Sequence, residues 1–150
     1  MADVNQKSTI PSTLAYRLGI LGTIAADRFS TEIESLDLKP KQVGLMAALD
    51  HATAASQQEL AARLGVVPSL VVALADQLEQ RGAVQRDRDP GDRRRQILTL
   101  TDHGRELLAQ ATHAAEQVDR ALTARLTESQ LGALHDALAV LATDAGLPGS

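Results

Sequence analysis

The sequence predicts a mainly α-helical protein of six helices that carries one small β-hairpin. Two observations lead to this fold class. Apolar residues recur at three- and four-residue spacing through most of the chain, as they do on the buried face of a helix. Between Val84 and Leu100, two strand-like runs instead flank the turn sequence Asp89-Pro90-Gly91-Asp92. Because a lone hairpin is only marginally stable in water, we expect it to pack on the helices.

The composition restricts the class of protein. The chain has 150 residues, of which 44% are hydrophobic and 23% charged, as in one folded domain. It has no cysteine, no nucleophile elbow and no phosphate loop, and its four histidines lack a tight ligand spacing. We therefore expect no enzyme activity, no cofactor and no metal site. No apolar run approaches the ~20 residues of a membrane span, so we expect a soluble, cytoplasmic protein without a membrane partner.

Capping residues, prolines and glycines mark where each helix begins and ends. Ser12 or Thr13 can cap the first helix, Pro40 opens the second, and Thr101 caps the fifth. The predicted helices span roughly residues 12–36, 40–50, 56–65, 68–82, 101–126 and 127–145. The first is apolar on more than one face, and the last carries leucines at 131, 134, 138 and 141. These surplus faces indicate either a second copy of the chain or ordinary core.

The third and fourth helices form a helix-turn-helix. Ser56 and Glu59 make a capping box at the start of the third helix, which ends at Gly65. Pro68 opens the fourth helix and Gly82 stops it. Two short helices joined by a tight, glycine-containing turn are typical of this motif, and the hairpin follows directly.

The charge of the chain is unevenly distributed. The formal net charge is −4, but the six arginines and three aspartates between Arg81 and Arg95 give that segment +3 and leave −7 elsewhere. An acidic body with one basic patch favours a local, oriented contact with a polyanion.

Four linked motifs carry a resemblance to a known family. They are Gln58 to Gly65, Asp76 to Gly82, Arg88 to Arg95 and Leu98 to Gly104. Together they resemble the MarR family of bacterial transcription regulators, which are homodimeric winged helix-turn-helix proteins. The resemblance extends from about Tyr16 to Leu141.

The resemblance implies that different parts of a single unit, residues 1–150, bind DNA and form the dimer. Residues 40–100 would form the winged helix-turn-helix lobe, and residues 12–36 and 101–145 the dimerisation helices. The helix from Pro68 to Arg81 would enter a major groove of double-stranded DNA, and the hairpin would be a wing at the adjacent minor groove. A two-fold homodimer then implies a pseudo-palindromic site with half-sites about 10 bp apart.

The expected DNA contacts lie on the two motif helices and the wing. They are Ser56, Ser69, Leu70, Val72, Ala73, Gln77, Arg86, Asp92, Arg93, Arg94 and Arg95. The resemblance implies that Asp92 orients Arg94, and an arginine in a narrow minor groove reads its negative potential.

The other expected contacts have more ordinary alternatives. Arg86, Arg93 and Arg95, like Arg88, are phosphate or structural contacts, or charges that keep the hairpin from aggregating. Val72 or Ala73 can contact thymine methyl groups and Gln77 can contact adenine. The serines can bind phosphates at the two helix N-termini, with capping alone as the alternative for Ser56.

The resemblance also implies a small effector, often aromatic and anionic, between the dimer helices and the DNA-binding lobe. Arg17 can pair with its carboxylate beside Tyr16, and His51 is a weaker candidate. Otherwise Arg17 is a surface or interface ion-pair partner. With two aromatic residues in the chain, the pocket should be mainly aliphatic and suit a hydrophobic ligand.

The sequence thus favours a ligand-responsive transcriptional regulator, and a repressor is the first prediction. A helical interaction module that grips an acidic protein partner with its basic hairpin is the alternative. The low polar content of the fourth helix keeps this alternative open.

Overall fold

The computed structural model of the protein describes residues 9–52 and 55–147, which form six α-helices and a three-stranded antiparallel sheet. The helices are α1 (Leu14–Ile33), α2 (Pro40–Ala52), α3 (Gln57–Leu64), α4 (Pro68–Gln80), α5 (Asp102–Thr123) and α6 (Glu128–Asp144). The strands are β1 (Ala55–Ser56), β2 (Val84–Arg88) and β3 (Gln96–Leu100). The predicted fold class is confirmed, although both ends of the 1–150 unit lie outside the described residues.

Hydroxyl caps begin the helices where the sequence predicts them. Thr13 accepts the backbone N–H of Tyr16 at the start of α1, and Thr101 accepts that of Gly104 at the start of α5. Both predicted capping boxes are present, at Ser56 for α3 and at Thr127 for α6. The first helix ends at Ile33, and a 3-10 turn, Glu34–Leu36, completes the predicted length.

The sheet joins the hairpin to the helix-turn-helix. Strands β2 and β3 have the predicted bounds, with Val84 opposite Leu100 and Arg88 opposite Gln96. The sequence did not predict β1, whose two residues pair with Leu98 and Ile97 on the far side of β3. Since β1 leads directly into α3, the middle of β3 is attached to the start of that helix.

The core lies between the helix-turn-helix lobe and the wing end of α5. Its largest fully buried side chains are Ile33, Leu45, Met46, Leu49, Leu60, Val71, Leu78, Val84 and Leu98. By contrast, α6 buries none of its residues, and the N-terminal half of α1 exposes Leu14, Leu18 and Leu21. As predicted, the first and last helices therefore carry apolar side chains that a single protomer leaves exposed.

No single helix in the described part of the chain has both the length and the apolar composition to cross a membrane. Of the described helices, only α3 and α4 taken together have this length and composition, and the pair is bent by 112°.

The wing and α5 meet at a close backbone contact. The N–H of Thr101 donates to the carbonyl oxygen of Ala83 at 3.1 Å, and the Thr101 hydroxyl donates to the carbonyl of Gly82. A Cβ on Gly104 would lie 2.0 Å from the same Ala83 oxygen. Only glycine fits at this point of α5, because the obstacle is backbone rather than a flexible side chain.

We expect Gly104→Ala to lower the free energy of unfolding by about 2 kcal/mol or more, because overpacking against fixed atoms costs about 1–3 kcal/mol. Gly44→Ala in α2 is the matched control, since nothing lies within 4 Å of its added Cβ. There alanine should be neutral or stabilise by up to about 1 kcal/mol through helix propensity. Urea denaturation of the two variants measures the difference, and equal stabilities would contradict the close contact.

Candidate nucleic-acid interface

The turn between α3 and α4 places α4 on the outside of the lobe. Gly65 adopts a left-handed conformation with φ 63°, and its N–H donates to the carbonyls at the end of α3. Pro68 then occupies the first turn of α4. The inner face of α4 is buried through Val71, Leu74, Ala75 and Leu78.

The N-terminal part of the outer face of α4 is largely apolar. Ser69 and Ala73 are exposed, and Val72 retains 38% of its accessible surface. Leu70, one of the expected contacts, is only partly exposed and packs against the core. The outer face therefore offers small side chains and one hydroxyl group near its N-terminus.

Gln77 has a partner inside the protein. Its Oε1 accepts the Nε2–H of Gln42 at 2.9 Å, and Gln42 is 6% exposed. The Oε1 of Gln42 in turn accepts the N–H of Lys39 at the start of α2. Gln77 thus satisfies a buried amide between α2 and α4, a partnership for which the sequence carries no signal.

Arg86 joins the wing to α4. Its guanidinium forms ion pairs with Asp76 and with Glu79, and the side chain is only 16% exposed. Burial by itself would lower the pKa of Arg86, but the hydrogen bonds and charges of the two carboxylates outweigh it and raise the pKa. This geometry favours the structural alternative for Arg86 over a DNA contact.

Arg95 joins the wing to α3. Its Nη2 lies 3.1 Å from Oε1 of Glu59, while the other oxygen of Glu59 accepts the N–H of Ser56. These contacts lower the pKa of Glu59, the backbone hydrogen bond from Ser56 most and the Arg95 side chain next. Ser56 is 8% exposed and its hydroxyl caps α3, which favours capping as its role.

The wing tip is shaped by two aspartates that bind backbone N–H groups. Asp89 accepts the N–H of Gly91 at 2.8 Å, and Asp92 accepts the N–H of Arg94 at 3.0 Å. The expected bond from Asp92 to the Arg94 fork is therefore replaced by a bond to its backbone, because a short aspartate side chain closes this local turn readily. Asp92 therefore binds Arg94 through the main chain, and its role in orienting the Arg94 fork stays a prediction.

Three wing arginines are available to a partner. In the part of the chain that the structure describes, the guanidinium groups of Arg88, Arg93 and Arg94 have no hydrogen bond or ion pair, and all three residues are exposed. The sequence analysis gave Arg88 as a phosphate or structural contact. Its position at the end of β2, next to the tip, leaves it available to a partner.

A cleft lies between the tip end of strand β3 and the start of α3. It measures about 350 Å³ and is lined by Ser56, Gln57, Gln58, Arg94, Arg95 and Gln96. The structure thus brings Ser56 together with two expected wing residues. Ser69, at the start of the neighbouring helix, does not line this cleft.

The three expected effector residues do not come together in a cleft of the protomer that we describe. Tyr16 is exposed on α1, and the Nε of Arg17 donates to the carbonyl of Pro11 at 3.1 Å. Two clefts of about 540 and 510 Å³ flank α5 instead, and neither is lined by Tyr16, Arg17 or His51. Their role as effector contacts stays a prediction.

Histidine and carboxylate groups lie near each other on α5, at 3.9 Å for His103 and Glu106 and at 3.6 Å for His113 and Glu116. Among residues 9–52 and 55–147, no group of three histidine or acidic side chains can hold a metal ion.

The fold and this surface define a winged helix-turn-helix protein. A profile of the MarR family matches residues 38–95. A proposed transcriptional regulatory protein for the hcr operon of Thauera aromatica is 34% identical over 115 residues, covering 75% of this chain and 69% of the relative. The chain belongs to the MarR family of transcriptional regulators, as the resemblance indicated.

Solved structures are similar over nearly the whole chain. The transcriptional repressor CouR, bound to a 23-mer DNA duplex, has a TM-score of 0.77 and 32% identity, covering 94% of this chain and 99% of that one. Wild-type MarR from E. coli, in its apo form, has a TM-score of 0.79 over 86% of this chain and 96% of that one. At 22% identity, MarR supports the fold alone.

Proposed function

We propose that this protein is a ligand-responsive repressor that acts in the cytoplasm and binds pseudo-palindromic duplex DNA as a homodimer. The observation that carries the proposal is the set of three wing arginines, Arg88, Arg93 and Arg94, that have no partner in the described residues and lie beside a helix-turn-helix, whereas Arg86 and Arg95 of the same wing are paired. The similarity to a repressor crystallised on duplex DNA supports it.

In the proposed complex, the N-terminal end of α4 enters the major groove. Ser69, Val72 and Ala73 then face base edges, as the N-terminal residues of a recognition helix do. The wing follows the backbone to the adjacent minor groove, where Arg94 and Arg93 lie in the negative potential between the strands. The cleft at Ser56 and Arg95 accepts a phosphate, with the N–H groups of α3 as further donors.

We expect Arg94→Ala to weaken binding to a selected DNA site roughly tenfold or more, and to make the slope of log K against log salt shallower by about 1. The reason is that one phosphate or groove contact, with its released counterion, is lost. Fluorescence anisotropy titrations at several salt concentrations measure both quantities.

Arg120→Ala is the control for this change. It removes the same charge from α5, about 28 Å along that helix from Thr101 at 1.5 Å per residue, and should leave affinity and slope unchanged. Equal salt slopes for wild type and Arg94→Ala would contradict the role of the wing. If the protein bound no DNA but captured an acidic protein, the interaction-module alternative would be favoured.

The proposed homodimer covers the apolar surfaces left open by one protomer. Leu14 is 77% exposed on α1, and Leu138 and Leu141 are 43% and 52% exposed on α6. Large apolar patches of this kind mark association surfaces, and a two-fold axis is the commonest closed arrangement. Two copies would then present two copies of α4 to successive major grooves.

We expect the protein to have the mass of two chains in solution, and Leu138→Glu to weaken this association strongly, because an unpaired carboxylate in an apolar interface costs several kcal/mol. His135→Glu places the same charge on α6 outside its leucine stripe and should leave the dimer intact. Analytical ultracentrifugation across a concentration series measures both variants. A wild-type protein that is monomeric at micromolar concentration would contradict the proposed homodimer.

The effector is proposed to bind in the larger cleft beside α5. This cleft lies between Asp50 of α2 and Arg105 of α5, with Leu108 and Ala109 as apolar lining. Among the described residues, Arg105 is the one arginine or lysine that lines this cleft. No described arginine or lysine lines the second cleft. Because Asp50 and Glu116 also line it, the cleft suits a small hydrophobic ligand with a single negative group.

We expect benzoate or a hydroxylated benzoate to release the protein from DNA, and Arg105→Gln to raise the concentration needed at least tenfold through loss of a charged hydrogen bond. Release in the anisotropy assay measures this, with uncharged benzyl alcohol as the ligand control. Arg17→Gln is the matched variant. If Arg17→Gln abolished the response while Arg105→Gln did not, the site at Tyr16 and Arg17 would be correct instead.

A further inference from the structure

We propose that α4 recognises its half-site chiefly through the methyl groups of thymine, contacted by Val72 and Ala73, and forms few hydrogen bonds to bases. This inference rests on the proposed DNA binding and adds the chemistry by which one sequence is preferred over another. Its basis is that the internal contacts of α4 already occupy most polar side chains on its exposed surface.

The acidic groups of α4 are the first to be occupied. Asp76 and Glu79 each pair one carboxylate oxygen with Arg86, so turning either carboxylate toward the amino group of a cytosine would disturb its ion pair. The single positive charge of Arg86 also offsets one of the two negative charges that these carboxylates carry. Arg86 is therefore a positioning residue, because it holds the wing against α4 and pairs with both carboxylates.

The amide of Gln77 is occupied as well. A two-point contact with adenine uses both the oxygen and the nitrogen of a glutamine amide, but Oε1 of Gln77 already accepts from Gln42. Turning Gln77 toward a base would leave the Nε2–H of the buried Gln42 without its acceptor. Gln77 is therefore retained between α2 and α4, contrary to the adenine contact that the sequence alone suggests.

The side chains that remain at the groove end are small and mostly apolar. Ser69 offers a hydroxyl, and Val72 and Ala73 offer methyl groups one turn into the helix. Gln80 is exposed, but it is the last residue of α4 and lies away from the N-terminal end that contacts bases. Among base edges in the major groove, the C5-methyl of thymine is the group that matches such a surface.

The test replaces thymine by uracil, which deletes one methyl group and leaves every hydrogen-bonding group and phosphate in place. The full-length protein first selects its preferred duplex from a random library. Each thymine of a half-site is then replaced singly by deoxyuridine, and affinity is measured with wild type and with Val72→Ala. Gln80→Ala is the control variant on the same helix.

We expect one or two uracil positions in each half-site to weaken wild-type binding about threefold to fivefold, as the loss of one buried methyl group would. For Val72→Ala, the loss at the position that Val72 contacts should fall to nearly none, whereas Gln80→Ala should behave as wild type. Such coupling between one side chain and one base methyl is the signature of direct contact.

Three results would overturn the inference while the proposed function stands: a selected half-site without thymine opposite α4, affinity insensitive to uracil, or a uracil effect unchanged by Val72→Ala. If instead the protein selected no DNA sequence, the proposed function would fail and the inference with it. The first two of these results are measured with the wild-type protein, because the substitution is made in the DNA, so they do not depend on the folding of a variant.

Discussion

The pairing of Arg86 with Asp76 and Glu79 is the interaction on which the arrangement of the lobe depends. A two-stranded hairpin has little stability of its own, and its orientation must be supplied by contacts with its surroundings. Arg86 supplies one on the α4 side, and Arg95 with Glu59 supplies another on the α3 side. The wing therefore has a defined position relative to both helices of the helix-turn-helix.

The arginines of the basic segment consequently divide into two groups. Arg81, Arg86 and Arg95 bind carbonyl or carboxylate oxygens of the protein and hold the lobe together. Arg88, Arg93 and Arg94 extend from the tip without a described protein partner and carry the positive charge that a polyanion meets. All six arginines lie within fifteen residues of the sequence. Their roles can therefore be distinguished only once the fold shows which of them pair with oxygens of the protein.

Local signals predicted the fold well. Capping boxes, prolines and glycines act within one turn of the chain, so the starts of α3, α5 and α6 and both strands of the hairpin follow from short stretches of sequence. The partners of the site residues were not predictable in this way. Gln42 and Gln77 are 35 positions apart, and Arg95 and Glu59 are 36 apart, so their contacts depend on how the elements pack. Strand β1 was missed for the same reason, since two residues carry no periodic pattern and pair only with a distant strand.

The geometry of α5 gives the proposed effector site a physical connection to the wing. The helix begins at Thr101, where its backbone and hydroxyl hold the Gly82-Ala83 turn between α4 and β2, and it passes the larger cleft at Leu108 and Ala109. At Gly104 the helix lies so close to Ala83 that it cannot slide along its axis without moving that turn. A ligand that binds better to a shifted position of α5 must therefore also shift the base of the wing and the end of α4. In the proposed homodimer, which would meet two half-sites at a fixed spacing, a small rotation of each lobe would disfavour the DNA-bound state.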